Sequence, residues 1–268
     1  MLKDELFDYL LAEYPKKKYH ECGYEGNFLD IIASMSCTEA QEKAFLSLIE
    51  NQIKVEEKKE YSDYAVVNLL QLKCNYLEQN NRKSEAYAII RENIHFHDFR
   101  QKLIDEAIIK KHFDEARQLC LDGIVIADKN RASGIAGMFR VNLLKIARAE
   151  RDVAEIKKWT EFLFYDNYFD MKYYRELKAT YDIENWTEKC EQIINKIRKP
   201  EMRGGHDAAN TIAGIFIEEH YFERLLALLK LNPSRIVFID TYAKHLQDRY
   251  PMEILELYEN SINEYAKS

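Results

Sequence analysis

Glycine and proline are scarce in this chain, 8 and 4 among 268 residues, well under average usage. A sheet of many short strands needs turn residues at every reversal, so the shortage excludes a strand-and-turn architecture. The four prolines, Pro15, Pro200, Pro233 and Pro251, fall where helices would start or stop, the places where a missing N–H costs least. The five cysteines, Cys22, Cys37, Cys74, Cys120 and Cys190, are odd in number and far apart. No Cys-x-x-Cys knuckle or redox pair exists among them. Cys120 and Cys190 stand on apolar helix faces, where a thiol acts as a small hydrophobe, and that usage fits a reducing cytoplasm. No apolar run approaches the roughly 18 residues of a membrane span. The N-terminal MLKDELFDYL is acidic and amphipathic, unlike a signal peptide. The expectation is a cytoplasmic chain without membrane contact.

Charge of one sign is not concentrated anywhere. The net charge of −7 divides evenly, with 19 basic and 24 acidic residues in 1–134 and 20 and 22 in 135–268. A phosphate backbone asks for a basic face, so nucleic acid is an unlikely partner on composition. Catalytic signatures are missing too. There is no G-x-S-x-G and no HExxH, and Gly204-Gly205 follows no strand and precedes no Lys-Ser/Thr, so it is not a phosphate loop. Ile94-His95-Phe96-His97-Asp98 is the one cluster of ligand-type side chains, besides the short His20/Cys22 pair. Two His at i, i+2 do not share a helix face, and Asp98 suits the first turn of a helix. We therefore expect helix entry there, no metal, no cofactor and no enzymatic activity.

What is present is helical periodicity. Apolar residues make up 47% of the chain. In FRQKLIDEAIIKKHFDEARQLCLDGI (99–124) one apolar face carries Phe99, Leu103, Ala107 and Ile108, and a second carries Phe113, Ala116, Leu119, Cys120 and Ile124. Only Lys110, Lys111 and His112 lie between, which predicts an antiparallel helical hairpin. A lone hairpin cannot cover its own apolar face and needs copies beside it. An anchor followed by apolar residues at +3 and at +4, +7 or +8 recurs from Leu6, Phe45, Ala86, Ala116, Ile156, Cys190, Leu225 and Ile254. Successive anchors are 39, 41, 30, 40, 34, 35 and 29 residues apart, the length of two-helix repeats. Partner helices are predicted over Tyr24–Met35, Tyr61–Glu78, Asp98–Lys110, Ser133–Ala149, Tyr168–Tyr181, Asp207–Glu219 and Ser234–Gln247, with Thr38, Ser133 and Ser234 as N-caps. Lys16–Asn27, Val55–Glu60 and Arg198–His206 read as loops, the last being the best place for a bend. The expected fold is all-α: one helical-repeat domain over 1–268, a right-handed α-α superhelix of antiparallel hairpins.

The hairpin HFDEARQLCLDGI resembles tetratricopeptide-like repeats, without that family's Gly and Tyr in the first helix or its closing Pro. Three segments, FRQKLIDEAIIKKHFDEARQLCLDGI (99–124), YYRELKATYDIENWTEKCEQIINKI (173–197) and YAKHLQDRYPMEILELYENSINEYA (242–266), resemble the helical C-terminal region of bacterial SWIM zinc-finger proteins across roughly residues 96–266. The finger's Cys-x-Cys and Cys-x-His pairs are missing, so its zinc and nucleic-acid association do not carry over. The resemblance implies a helical appendage, with a nucleic-acid-associated accessory factor as the alternative role.

A hairpin array leaves a concave face lined by the first helix of each pair, suited to a peptide or a partner protein. The residues expected to face it, off the apolar stripes, are Arg140, Tyr173, Lys178 and Lys244, a set suited to an acidic, partly apolar peptide. Among the aromatics crowding 159–186, Tyr165, Tyr168 and Tyr173 are expected to be reachable. The sequence does not fix an oligomeric state.

Overall fold

The computed structural model describes residues 2–16, 25–166, 169–199 and 208–266. Helix takes 81% of the described residues, and no strand occurs among them. In chain order the helices are α1 (Leu2–Glu13), α2 (Glu25–Met35), α3 (Glu39–Glu56), α4 (Asp63–Gln79), α5 (Lys83–Glu92), α6 (His97–Ile109) and α7 (Phe113–Lys129). Then come α8 (Ser133–Glu150), α9 (Val153–Asp166), α10 (Met171–Ala179), α11 (Ile183–Ile197), α12 (Ala208–Glu218), α13 (Phe222–Lys230), α14 (Ile236–Ala243) and α15 (Pro251–Tyr265). A 3₁₀ turn, Tyr14–Lys16, follows α1. The chain divides into two compact units, residues 1–126 and 127–268. None of the described helices is long and apolar enough to cross a membrane.

One joint is copied five times. Asn81, Lys111, Arg131, Arg151 and His220 adopt φ between 57° and 61°, the left-handed conformation that closes a helix. The next residue's N–H reaches five residues back: Arg82 to Leu77 O, His112 to Ala107 O, Ala132 to Ala127 O and Tyr221 to Phe216 O at 2.8 Å, and Asp152 to Ala147 O at 3.0 Å. That bond is the signature of the Schellman motif, made here without glycine. The same residue then opens the following helix. Its carbonyl accepts from the residue four places on, in turn Ala86, Ala116, Ala136, Leu225 and Ile156. The first four of these are fully buried. A reversal therefore takes two or three residues and sets a small or branched apolar side chain at the contact between neighbouring helices.

In the first unit, consecutive helices from α1 to α6 pack on one another. Their core gathers Phe7, Ile32, Phe45, Ile49, Cys74, Leu77, Ala86 and Phe99, with the Phe45 and Tyr76 rings 4.8 Å apart. In the second unit α8 packs on α9, α9 on α10, α11 on α12, α12 on α13 and α14 on α15. That core is rich in rings, Phe164, Tyr174, Trp186 and Phe216, among Leu177, Cys190, Ile193 and Ile194.

Several expectations need correction. Among the residues three and four places after an anchor, Ile49, Cys120, Thr160, Ile193, Ile194 and Leu229 are fully buried, whereas Leu119 and Trp159 are half-buried. In α1 the buried face carries Phe7, and the anchors Leu6 and Tyr9 are exposed. Thr38 is an N-cap, and Gln41 completes a capping box with it. Ser133 and Ser234 are not, because Ala132 and Arg235 hold those positions. Lys16 lies in the 3₁₀ turn, residues 25–27 already belong to α2 and α3 runs on to Glu56, so the predicted loops there are shorter. Tyr168, the His20/Cys22 pair and most of the expected bend lie outside the described residues.

Candidate functional site

The site with most chemistry to offer lies in the first unit. Helix α4 sends Val66, Val67, Leu70, Cys74 and Leu77 into the core and keeps a polar strip elsewhere. Asn68, Gln71 and Asn75 stand at i, i+3 and i+7, so they share one face, with Tyr64 one turn earlier. A rise of about 1.5 Å per residue sets these carboxamides roughly 4.5 and 6 Å apart along the axis. They line a cavity of about 490 Å³ together with Gln52 and Glu56 of α3, Leu29 and Asp30 of α2, and Tyr14. That volume is typical of ligand pockets.

Gln52 is the telling member. It is 7% exposed, yet its carboxamide is hydrogen-bonded to none of the described residues, and the same holds for the side chains of Asn68, Gln71, Asn75 and Asp30. The Gln52 amide is not enclosed: the fully buried side-chain atoms without a partner among the described residues are Tyr76 Oη, Thr160 Oγ1 and Ser261 Oγ, so Gln52 buries its stem and presents its amide to the cavity. Each carboxamide carries two donors and one acceptor, so the wall can give and take hydrogen bonds at the same place. Charge in the pocket leans negative. Asp30 and Glu56 are carboxylates, and the one ammonium lining it, Lys59, is held by Glu56 at 2.5 Å.

The residues nominated from sequence lie in the second unit, and no hydrogen bond or ion pair joins any two of them. Arg140 is tied to Asp128 at 3.0 Å, with its guanidinium 4.7 Å from the centre of the Phe162 ring. Tyr173 is 4% exposed, which corrects its assignment to an open face: on the short α10 it enters the core beside Tyr174 and Leu177. Tyr165 is half-buried, with Lys196 Nζ 3.7 Å over its ring. Lys178 pairs with Glu219 at 2.9 Å. Lys244 is exposed in the turn after α14.

Lys178 belongs to a buried polar knot. The Glu219 carboxylate accepts from Tyr174 Oη at 2.7 Å and from Trp186 Nε1 at 3.1 Å, and Tyr174 Oη lies 3.3 Å from Cys190 Sγ. Burial, then the contacts with Cys190 and Glu219, push the Tyr174 phenol well above its usual range. Burial also raises the Cys190 thiol, as it does Cys74 in the first unit. A thiol held protonated is a poor nucleophile, so the knot reads as a structural clasp.

The histidine cluster resolves as helix entry. α6 starts at His97 with Asp98 in its first turn, and the His95 ring stacks on Phe96 at 4.0 Å. Among the described residues no three His, Cys, Asp or Glu side chains gather as a metal site requires. The α4 pocket does not show in the apolar stripes, since polar residues line most of it. The signal in the sequence is the set of amides at 68, 71 and 75, at helical spacing along α4, with Gln52 on the preceding helix. Compared with known proteins, the chain matches no family model, no curated protein and no solved structure.

Proposed function

We propose that this chain is a non-enzymatic interaction module, a tetratricopeptide-like right-handed superhelix whose first helices line a groove for a peptide or a partner protein. The observation that carries the proposal is Gln52, a largely buried side chain whose amide lines a pocket of about 490 Å³ and is hydrogen-bonded to none of the described residues. The copied joint supports the architecture, since an identical turn repeated along the chain gives successive hairpins a similar step. The resemblance to the helical region of SWIM proteins implies a helical appendage without the finger's zinc. Protonated, buried Cys74 and Cys190 argue against thiolate chemistry, and the carboxylates Asp30 and Glu56 in the pocket argue against a nucleic-acid ligand.

The test is affinity capture from lysate of cells that express the chain, with and without nuclease treatment, at low and high salt. One protein recovered at both salts is the expected result. Retention of nucleic acid only, or of nothing, overturns the proposal.

A further inference from the structure

The chemistry of the α4 pocket narrows the ligand. Resting on the interaction-module proposal, we infer that the pocket binds an extended peptide segment through its main chain, with Gln71 and Asn75 bonding peptide groups two residues apart and Gln52 and Asn68 adding further bonds.

Three observations converge on this. First, the wall is made of carboxamides, and a peptide unit presents the same pair of functions, one N–H and one C=O. Asn68, Gln71 and Asn75 are bonded to none of the described residues, so they meet a ligand without breaking internal bonds. Second, the spacing fits. An extended strand shows its N–H and C=O on one side at every second residue, about 6.8 Å apart, and Gln71 and Asn75 are about 6 Å apart along α4. Third, Gln52 is more than nine-tenths buried at this cavity, so a peptide group reaching it enters surroundings where hydrogen bonds are strong.

Charge and apolar surface set the rest of the preference. Asp30 has no ion-pair partner among the described residues and suits a basic side chain or an N–H of the ligand. Leu29, Leu69 and Leu72 line the same cavity and give an apolar side chain somewhere to rest. The binding of a phosphorylated or strongly acidic segment is disfavoured by Asp30 and Glu56.

The test is to pan the full-length chain against a phage-displayed random peptide library, then measure the enriched peptides by fluorescence anisotropy on wild type, Gln52→Leu and Asn75→Ala. We expect each substitution to weaken binding by about tenfold or more, the equivalent of one lost hydrogen bond, with melting unchanged or raised for Gln52→Leu. N-methylation of alternate backbone amides in the peptide should weaken binding by a similar factor, because it removes main-chain donors and keeps every side chain. Should Gln52→Leu fail to fold, Gln71→Ala on the solvent-facing wall takes its place. Peptides that bind the variants as tightly as wild type would remove this pocket from the account while leaving the interaction-module proposal standing. Loss of binding in the variants with no effect of N-methylation would replace main-chain recognition by side-chain recognition. A library that yields no binder overturns this inference, while the interaction-module proposal is judged by the lysate capture. Tight binding of a single-stranded oligonucleotide abolished by Gln52→Leu would assign the pocket to nucleic acid.

Discussion

Replacing Glu219 by Ala should be among the most damaging changes in the second unit, although the residue sits just past the end of a helix. A carboxylate at a helix C-terminus is unfavourable by about 0.3–1 kcal/mol, so something else holds it there. The answer is three donors: Tyr174 Oη, Trp186 Nε1 and Lys178 Nζ. In Glu219→Ala the indole N–H of Trp186, 5% exposed, loses its acceptor, and an unmet buried donor costs about 1–3 kcal/mol. Tyr174 Oη is left with the weak acceptor Cys190 Sγ, which adds about 1 kcal/mol. Lys178, with 37% of its side chain exposed, turns to water at little cost. The sum is about 2–4 kcal/mol. Glu219→Gln keeps an acceptor and should cost about 1 kcal/mol, and Lys178→Met less than about 1 kcal/mol. Both tryptophans, Trp159 and Trp186, belong to the second unit, so urea denaturation followed by tryptophan fluorescence reports on that unit alone. Glu219→Ala within about 1 kcal/mol of wild type, or Lys178→Met as costly as Glu219→Ala, would refute the knot as a source of stability.

Glycine at the left-handed joints should stabilise, since φ near 60° strains residues bearing a Cβ. Lys111→Gly and Arg151→Gly are each expected to gain about 0.5–1 kcal/mol in thermal denaturation and Asn81→Gly less, because Asn tolerates that conformation. Alkaline pH should destabilise the second unit. The raised Tyr174, Tyr165 and Cys190 stay protonated in the fold, so their contribution is complete below the unfolded thiol and phenol values, about 8.5 and 10. As pH rises past those values the unfolded chain sheds protons that the fold retains, and stability falls by about 1.4 kcal/mol per pH unit for each group. Tyr174→Phe should flatten that slope, and an unchanged slope would contradict the assignment.

Much of the secondary structure was legible because a helix half-buried against neighbours must repeat its apolar residues every three to four positions. The joints were legible only as short polar gaps such as Lys110–His112. The left-handed residue inside them is Asn, Lys, Arg or His, none of which announces that conformation as glycine would. Burial at the level of single residues was harder to see. Tyr173 and Tyr174 are adjacent and both buried, since α10 packs on more than one side, and a one-stripe rule misses that. Leu119 and Trp159 are the larger and more apolar side chains, yet they are half-buried while the neighbouring Cys120 and Thr160 are fully buried, a difference that hydrophobicity alone does not show. The pocket was hidden for a related reason. Polar residues on a helix are ordinarily solvated, and only tertiary packing shows that Gln52 is buried and that the amides of α4 share its cavity.

The central claim is that the first unit receives a partner on α3 and α4. Amide hydrogen exchange of the full chain, alone and with the captured partner at saturation, tests it most directly. The account predicts added protection concentrated in residues 39–79, with the joints at Asn81 and Lys111 little changed. Protection confined to residues 127–266, or none anywhere, would contradict it.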